Sequence, residues 1–180
     1  KLPQSTAALL HALEDRDADV RIVAARSLGR MKLQAAEEAL VQVLGKADQA
    51  VSARVAAICI EMGPRTAPLL IKALREGTPK ARFWAARVLG EIGDPRSVRS
   101  LGDAVLHPDA EVRSASAWAL GRLKDPSAAV LVEPLLQDPV WYVRAHAADT
   151  LGRIGGGAYA PRLTTALADR SWWVRRNALD

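Results

Sequence analysis

The feature that most constrains the fold is a pattern that repeats about every 31 residues. Six dipeptides come into register when the sequence is shifted along itself, with successive spacings of 31, 30, 31, 31 and 31 residues: Val20-Arg21, Val51-Ser52, Ala81-Arg82, Val112-Arg113, Val143-Arg144 and Val174-Arg175. A fixed period of this length is typical of stacked-repeat proteins, in which each repeat buries its apolar face against its neighbours. The sequence therefore predicts a single repeat domain over residues 1–180.

Each repeat contains two amphipathic segments. We number each repeat from the first residue of its dipeptide, which is position zero. Leucine or valine recurs eleven and seven residues before position zero. This i, i+4 spacing predicts the buried stripe of a first helix, named A. These pairs are Leu9/Leu13, Leu40/Leu44, Leu70/Leu74, Leu101/Val105, Val132/Leu136 and Leu163/Leu167. A second helix, B, has apolar residues at zero, plus four, plus five, plus eight and plus eleven, which share one face at about 100° per residue.

The predicted fold is thus all-α, with about six helical hairpins of which the last is truncated. Their approximate bounds are 2–31, 33–62, 63–92, 93–123, 124–154 and 155–180. Candidate N-caps stand three residues before position zero: Asp17, Asp48, Thr78, Asp109 and Ser171. In the fifth repeat Val140 takes that place, so Asp138-Pro139 predicts a B helix that starts two residues early. Pro134 predicts a kink in its A helix, and Gly63, Gly93 and Gly155 predict the ends of B helices.

The consensus of these repeats is Asp-x-x-Val-Arg-x-x-Ala-Ala-x-x-Leu-Gly-x-Ile-Gly-Asp-Pro, and the segments 91–95 and 120–126 match it well. This pattern resembles HEAT repeats, most closely the short HEAT-like repeats of phycobilisome lyase subunits. The resemblance covers the whole chain and is weakest in repeat two, which has Ser52 for arginine and Ile60 for glycine. It implies a right-handed α-α superhelix, a HEAT-like solenoid, with the B helices lining its concave side.

Composition excludes several classes of site. The net charge is +5, yet no run of five or six like charges forms a basic arm. Cys59 is the single cysteine, so the chain has no internal disulfide and no Cys-based metal site, and its place at plus eight predicts a buried thiol. The histidines His11, His107 and His146 fall in different positions of the repeat. We therefore expect neither a metal nor another cofactor.

The sequence has no apolar run long enough to span a bilayer and no secretory leader. It begins at Lys1 without a methionine and stops at Asp180 inside a repeat. We interpret it as a piece of a longer protein. A leader or a membrane anchor upstream of this piece is compatible with that interpretation. On the sequence in hand we expect a cytoplasmic location, and the oligomeric state stays open.

An arginine follows position zero in five of the six repeats: Arg21, Arg82, Arg113, Arg144 and Arg175. It lies near the edge of the core face, within reach of a carbonyl or carboxylate of the inter-repeat turn, such as Asp15, Asp138 or Asp169. Recurrence in nearly every period favours a structural ladder over a binding role.

The opposite face of helix B carries the candidate binding residues. Positions minus one, plus three, plus six and plus ten point away from the core. Of the residues there, nine form what we call the predicted stripe: Trp84, Arg87, Trp118, Arg122, Tyr142, His146, Asp149, Arg153 and Trp173. Arg26, Arg30, Arg54, Glu61 and Glu91 share the same positions. Aromatic rings interleaved with arginines on a rigid concave surface favour recognition of a protein partner, although Trp84 and Trp118 can also lie flat across neighbouring helices and extend the core.

The favoured function is a non-catalytic protein-binding or scaffold module. His146 and Asp149 are three residues apart on one helix, a spacing open to acid–base chemistry but more often a solvated contact, so no enzyme is predicted. A nucleic-acid-binding protein is the alternative, since HEAT-like alkylpurine DNA glycosylases use a basic concave face with tryptophans and an aspartate. Trp84, Trp118, Asp149, Arg87 and Arg122 would correspond to those residues. A bilin lyase-like subunit is a lesser alternative, which rests on repeat type alone.

Overall fold

The computed structural model describes residues 4–179, which contain α-helices and short 3-10 turns but no strand. The helices are α1 (Gln4–Ala12), α2 (Ala18–Arg30), α3 (Gln34–Lys46), α4 (Gln49–Met62), α5 (Ala67–Glu76), α6 (Pro79–Ile92), α7 (Val98–Ala104), α8 (Ala110–Leu123), α9 (Ala129–Val132), α10 (Trp141–Ile154), α11 (Ala160–Ala166) and α12 (Trp172–Asn177). Odd-numbered helices are the A helices and even-numbered helices the B helices, which confirms the all-α fold. None of the helices in the described residues is long and apolar enough to cross a membrane.

Apart from the one in the fifth repeat, the B helices of the described residues begin where the sequence predicts. The side chains of Asp17, Asp48 and Asp109 each accept a hydrogen bond from a main-chain N–H in the first turn of the helix that follows. Thr78 Oγ1 accepts from the N–H of Ala81 at 3.3 Å. Ser171 is the residue before α12 but makes no capping bond with its side chain. Each bond satisfies one of the donors that a helix N-terminus leaves without a partner.

The fifth repeat differs from the prediction at one end and agrees with it at the other. Its B helix begins at Trp141 with the extended Val140 before it, so the expected early start at Asp138-Pro139 is wrong. The Asp138 carboxylate instead accepts the N–H of Val140 and binds Arg113, contacts that hold this segment extended. The kink predicted at Pro134 is confirmed, because α9 stops at Val132 and Glu133–Gln137 continues as a 3-10 turn.

Glycines end B helices as predicted, in two conformations. Gly63 and Gly93 adopt φ of 70° and 72°, in the left-handed region that a residue with a Cβ enters at a cost. Gly155 caps α10 with φ of −80°, and the left-handed residue there is Gly156. The predicted ends of these helices are confirmed.

The core consists of the predicted leucines, valines and alanines. Position zero is almost fully buried at Val51, Val112, Val143 and Val174, but Val20 is 40% exposed. The burial of Val174 in the last repeat and the exposure of Val20 in the first show that the preceding hairpin covers this position. Burying a valine contributes about 1.5–3 kcal/mol, so stacking of hairpins is a large part of the stability.

The chain divides into two compact units, Lys1–Val88 (unit 1) and Leu89–Asp180 (unit 2), each of which we describe by itself. The expectation of one continuous domain remains a prediction. In both units, the glycine nine residues after position zero of one B helix lies against the residue seven positions after position zero of the next B helix. A Cβ at Gly29 would lie 2.4 Å from Ile58 in unit 1, and in unit 2 one at Gly90 would lie 2.9 Å from Ala119. Neighbouring B helices therefore pack closely, which aligns the residues on their outer faces.

The recurrent arginines form the structural ladder that the sequence predicts. In unit 2, Arg144 binds Asp169 through two hydrogen bonds of 2.7 and 2.9 Å and donates to the carbonyls of Asp138 and Pro139. Arg21 in unit 1 donates to the Asp15 carbonyl and pairs with Asp48. These bonds fix the turn between the A and B helices of one repeat to the turn of the next.

Candidate functional site

The B-helix face of unit 2 contains seven residues of the predicted stripe. Trp118 on α8 is half-buried, and its ring atom Cζ3 lies 2.8 Å from where a Cβ of Gly90 would stand. The indole therefore rests against the preceding helix where glycine leaves room. The contact agrees with packing against a neighbouring helix, which the sequence left open, and part of the side chain remains exposed.

Arg122 is held beside that ring by two contacts. Its Nη2 lies 2.7 Å from Glu91 Oε2, and its guanidinium carbon lies 5.7 Å from the centroid of the Trp118 ring. A cation over an aromatic face is attracted by the negative charge of the π-system. The arginine is thus fixed over the indole and its charge is balanced by the carboxylate.

His146 on α10 is joined to Ser114 on α8. The Oγ of Ser114 and the Nδ1 of His146 are 2.7 Å apart, Ser114 is buried and His146 is half-buried. Which atom donates depends on the histidine tautomer. The bond ties α8 to α10 directly beneath the outer face and fixes the direction of the imidazole ring.

The remaining polar residues of α10 form a second charge pair. Arg153 Nε donates to both carboxylate oxygens of Asp149, at 3.0 and 2.9 Å. Together with Arg122 and Glu91, this pair leaves no large excess of either charge on the face. In the described residues, no group of three or more His, Cys, Asp or Glu side chains is placed to hold a metal ion.

Aromatic side chains lie at the N-terminal ends of α10 and α12. Tyr142 packs edge-to-face with Trp141, with ring centroids 5.6 Å apart. Burial and the neighbouring Glu111 carboxylate raise the pKa of the Tyr142 hydroxyl. Trp173 stacks on Trp172 at 4.0 Å and is 43% exposed.

The other two residues of the predicted stripe belong to unit 1. Trp84 is half-buried and meets Phe83 edge-on, with ring centroids 5.3 Å apart. Arg87, one turn further along α6, is also half-buried. A single strip formed by all nine residues remains a prediction.

Sequence reasoning missed the partners that hold this face together. They are separated by one period or slightly more: Glu91 and Arg122 by 31 residues, Ser114 and His146 by 32, Ala145 and Asn177 by 32, and Ala117 and Thr150 by 33. A search for complementary polar residues at this spacing would have found Glu91 and Ser114. Thr150 and Asn177 donate to the main-chain carbonyls of alanines. Every residue has such a carbonyl, so the residue type of the acceptor does not predict these bonds.

The buried cysteine has no part in this face. Cys59 is fully buried on α4, and burial together with the charge of Glu37 raises the pKa of its thiol to about 12. At neutral pH the group is a thiol, which is a weak nucleophile. The predicted buried thiol is confirmed.

Comparison with known proteins agrees with the architecture. The family model described as HEAT repeats matches residues 6–77, 37–116, 66–141 and 103–180. A solved structure of the complex of CpcE and CpcF of phycocyanin lyase from Nostoc sp. PCC7120 is 25% identical, with a TM-score of 0.73 over 81% of this chain and 96% of that one. Human deoxyhypusine hydroxylase in complex with glycerol is 20% identical, with a TM-score of 0.54 over 99% and 83%. A designed armadillo repeat protein in complex with a (KR)4 peptide is 14% identical, with a TM-score of 0.57 over 98% and 97%.

No curated protein is significantly similar to the chain in sequence. The last two structures show the fold alone, which is that of HEAT-type and armadillo-type solenoids. An architecture of this kind serves in general as a scaffold for binding proteins. The chain belongs to the HEAT-repeat family.

Proposed function

We propose that this protein is a non-catalytic binding module that holds a segment of a protein partner on the B-helix face of unit 2. The observation that carries the proposal is the fixed position of Arg122 between Trp118 and Glu91. Tryptophan, tyrosine and arginine are enriched among the few residues that carry most of the binding energy of protein interfaces. Here both side chains are held by neighbours within the same unit, so binding costs little conformational entropy.

The charge distribution favours a protein over a nucleic acid as the ligand of this face. Arg122 and Arg153 are each paired with a carboxylate, and Glu111 adds a further negative charge beside Tyr142. Affinity for a nucleic acid depends on cations that neutralise its phosphates. On this face the charges of Arg122 and Arg153 are already balanced by the carboxylates of Glu91 and Asp149. The face offers aromatic surface with balanced polar groups, as the core of a protein interface does.

The proposal is tested by placing a photo-crosslinking amino acid at position 118 or 173, and at position 106 as control. Leu106 is 77% exposed and lies in the turn before α8, outside the B helices. We expect a partner in extracts of the source organism to crosslink from positions 118 and 173 and not from position 106. Equal crosslinking from all three positions would contradict the proposal.

The partner is then titrated by calorimetry against the wild-type protein and two variants. Trp118→Ala removes the central ring and should weaken binding by about 30-fold, the effect of losing about 2 kcal/mol at a hot spot. Leu106→Ala should leave the affinity within about twofold of wild type, because a residue outside the interface makes no contact. An unchanged affinity for Trp118→Ala, with the fold verified by circular dichroism, would show that the ring is not in the interface.

A bilin lyase-like subunit is the second candidate. It is favoured by the similarity to the phycocyanin lyase complex, which covers 81% of this chain. Adding phycocyanobilin to the purified protein and recording the visible absorption spectrum tests this role. A shifted, saturable band supports it, and a spectrum equal to that of free bilin rules against direct binding of the pigment by this chain.

A further inference from the structure

A groove in unit 1 has an apolar floor and a cationic rim. It lies between the C-terminal ends of the B helices α2 and α4 and has a volume of about 750 Å³. Gly29, Ile58 and Met62 form the floor. Gly29 allows this arrangement, since a Cβ at that position would lie 2.4 Å from the Ile58 side chain.

The rim carries more positive than negative charge. Arg26, Arg30, Lys32 and Arg65 contribute four cations, and Glu61 is the one carboxylate that lines the groove. Arg26, Arg30, Lys32 and Glu61 are exposed, and in residues 4–179 none of these four side chains takes part in an ion pair.

One of these cations, Arg65, makes contacts within unit 1. Arg65 donates to the Gly29 carbonyl at 2.9 Å, and its Nε lies 3.3 Å from Glu37 Oε1 without the alignment of a hydrogen bond. The C-termini of α2 and α4 add about half a negative charge each, which cations nearby offset. Because Glu37 balances Arg65, the excess of Arg26, Arg30 and Lys32 over Glu61 is two positive charges, and about one remains after the helix correction.

We propose that this groove binds an acidic peptide segment of a protein partner, with a large apolar side chain on the floor and carboxylates at the rim. Charge complementarity selects the acidic groups, since Arg26, Arg30 and Lys32 line the groove and are exposed. Ile58 and Met62 provide the apolar contact, and the methionine side chain adapts to different shapes.

Two observations favour a peptide over a nucleic acid. Glu61 lies on the rim, where its carboxylate can accept hydrogen bonds from the main-chain N–H groups of a peptide, which a phosphodiester backbone lacks. None of the described residues that line the groove is aromatic, and stacking on aromatic rings is the usual way to hold unpaired bases. The groove lies in unit 1 and the proposed face in unit 2, so each proposal can fail without the other.

The test is fluorescence anisotropy with four labelled probes at low ionic strength. The first is the peptide Glu-Asp-Glu-Leu-Asp-Glu-Asp, the second has glycine for leucine, the third has glutamine and asparagine for the acids, and the fourth is a short oligothymidylate. We expect the first to bind tightest, and the second and third to bind at least about tenfold more weakly, as losing about 1.4 kcal/mol implies.

The variant Arg26→Glu/Arg30→Glu reverses two charges of the rim, and Arg170→Glu/Arg176→Glu is the matched control. All four arginines are exposed, so both variants should keep the wild-type unfolding midpoint. We expect the first variant to lose at least about tenfold in affinity for the acidic peptide and the control to stay within about twofold.

Three results would overturn the proposal. One is that the acidic peptide shows no detectable binding at concentrations up to about 1 mM. Another is equal loss of affinity in the two charge-reversal variants, which would show attraction by net charge alone. The third is tighter binding of oligothymidylate than of the peptide, which would identify the groove as a nucleic-acid site.

Discussion

Arg113 binds Asp138, 25 residues further along the chain, through Nε to Oδ2 at 2.7 Å and Nη2 to Oδ1 at 2.9 Å. The main-chain carbonyl of Asp138 accepts in turn from Arg144, which binds Asp169 with the same geometry. Arg175 then donates to the carbonyl of Asp169. The turns of three successive repeats in unit 2 are thus linked in series, and the carboxylates of Asp138 and Asp169 are each neutralised by the arginine of the preceding repeat.

The ladder predicts unequal effects for two arginines in the same position of the repeat. Arg144 is 8% exposed and holds a carboxylate, so Arg144→Met should lower the free energy of unfolding by about 3 kcal/mol, mainly because Asp169 loses its partner. Arg175 is exposed and, in the described residues, bonds only to main-chain carbonyls, so Arg175→Met should cost less than about 1 kcal/mol. Urea unfolding measures both, and equal losses would contradict the ladder.

The same ion pair predicts a dependence of stability on pH. Hydrogen bonds from Arg144 lower the pKa of Asp169 below its ordinary value of 3.8, against the effect of burial. The stabilisation is therefore complete above the pKa of the unfolded chain, near 3.8, and is lost as the pH falls through the lower pKa of the folded state.

Urea unfolding at a series of pH values between about 2 and 7 checks this prediction. Asp169→Asn should lower the free energy of unfolding at pH 7 and flatten its decline below pH 4. If the variant and the wild type decline in parallel, Asp169 does not supply the acid sensitivity.

Close approach of the B helices predicts opposite effects for two glycines at plus nine. A Cβ on Gly121 would lie 2.7 Å from Thr150 Oγ1, which donates to the buried carbonyl of Ala117 at 2.8 Å. Gly121→Ala should destabilise by about 1–3 kcal/mol through overpacking. Gly152 is exposed on α10, so Gly152→Ala should stabilise by up to about 1 kcal/mol through helix propensity. Thermal unfolding compares the two, and stabilisation by both would show that the helices separate easily.

Burial of Cys59 predicts a thiol that reacts only after unfolding. Its pKa is raised to about 12, so the thiolate is scarce at pH 8 and the sulfur is closed to solvent. Iodoacetamide should leave the native protein unmodified and alkylate it in urea, as mass spectrometry would show. Rapid alkylation of the native protein would mean that the hairpin of repeat two opens readily.

The candidate site was only partly accessible to sequence reasoning. Helical arithmetic placed Trp118, Arg122 and His146 on one side of the B helices, because that direction depends on a single helix. It did not show that Trp118 lies against Gly90, since this depends on the distance between two helices. The groove beside Ile58 was missed for the same reason, although Arg26 and Arg30 were assigned to the outer face.

The amino-acid sequence by itself determined the hairpins, their core residues and most of their boundaries, because helix periodicity and capping are local properties of the chain. Only the tertiary structure decided the start of α10 at Trp141, where Arg113 holds Asp138 out of the helix, and the pairing of Ser114 with His146. These two contacts join residues 25 and 32 positions apart. They form only when neighbouring hairpins pack at a particular distance and angle to each other. The small residues between the B helices set that distance and angle.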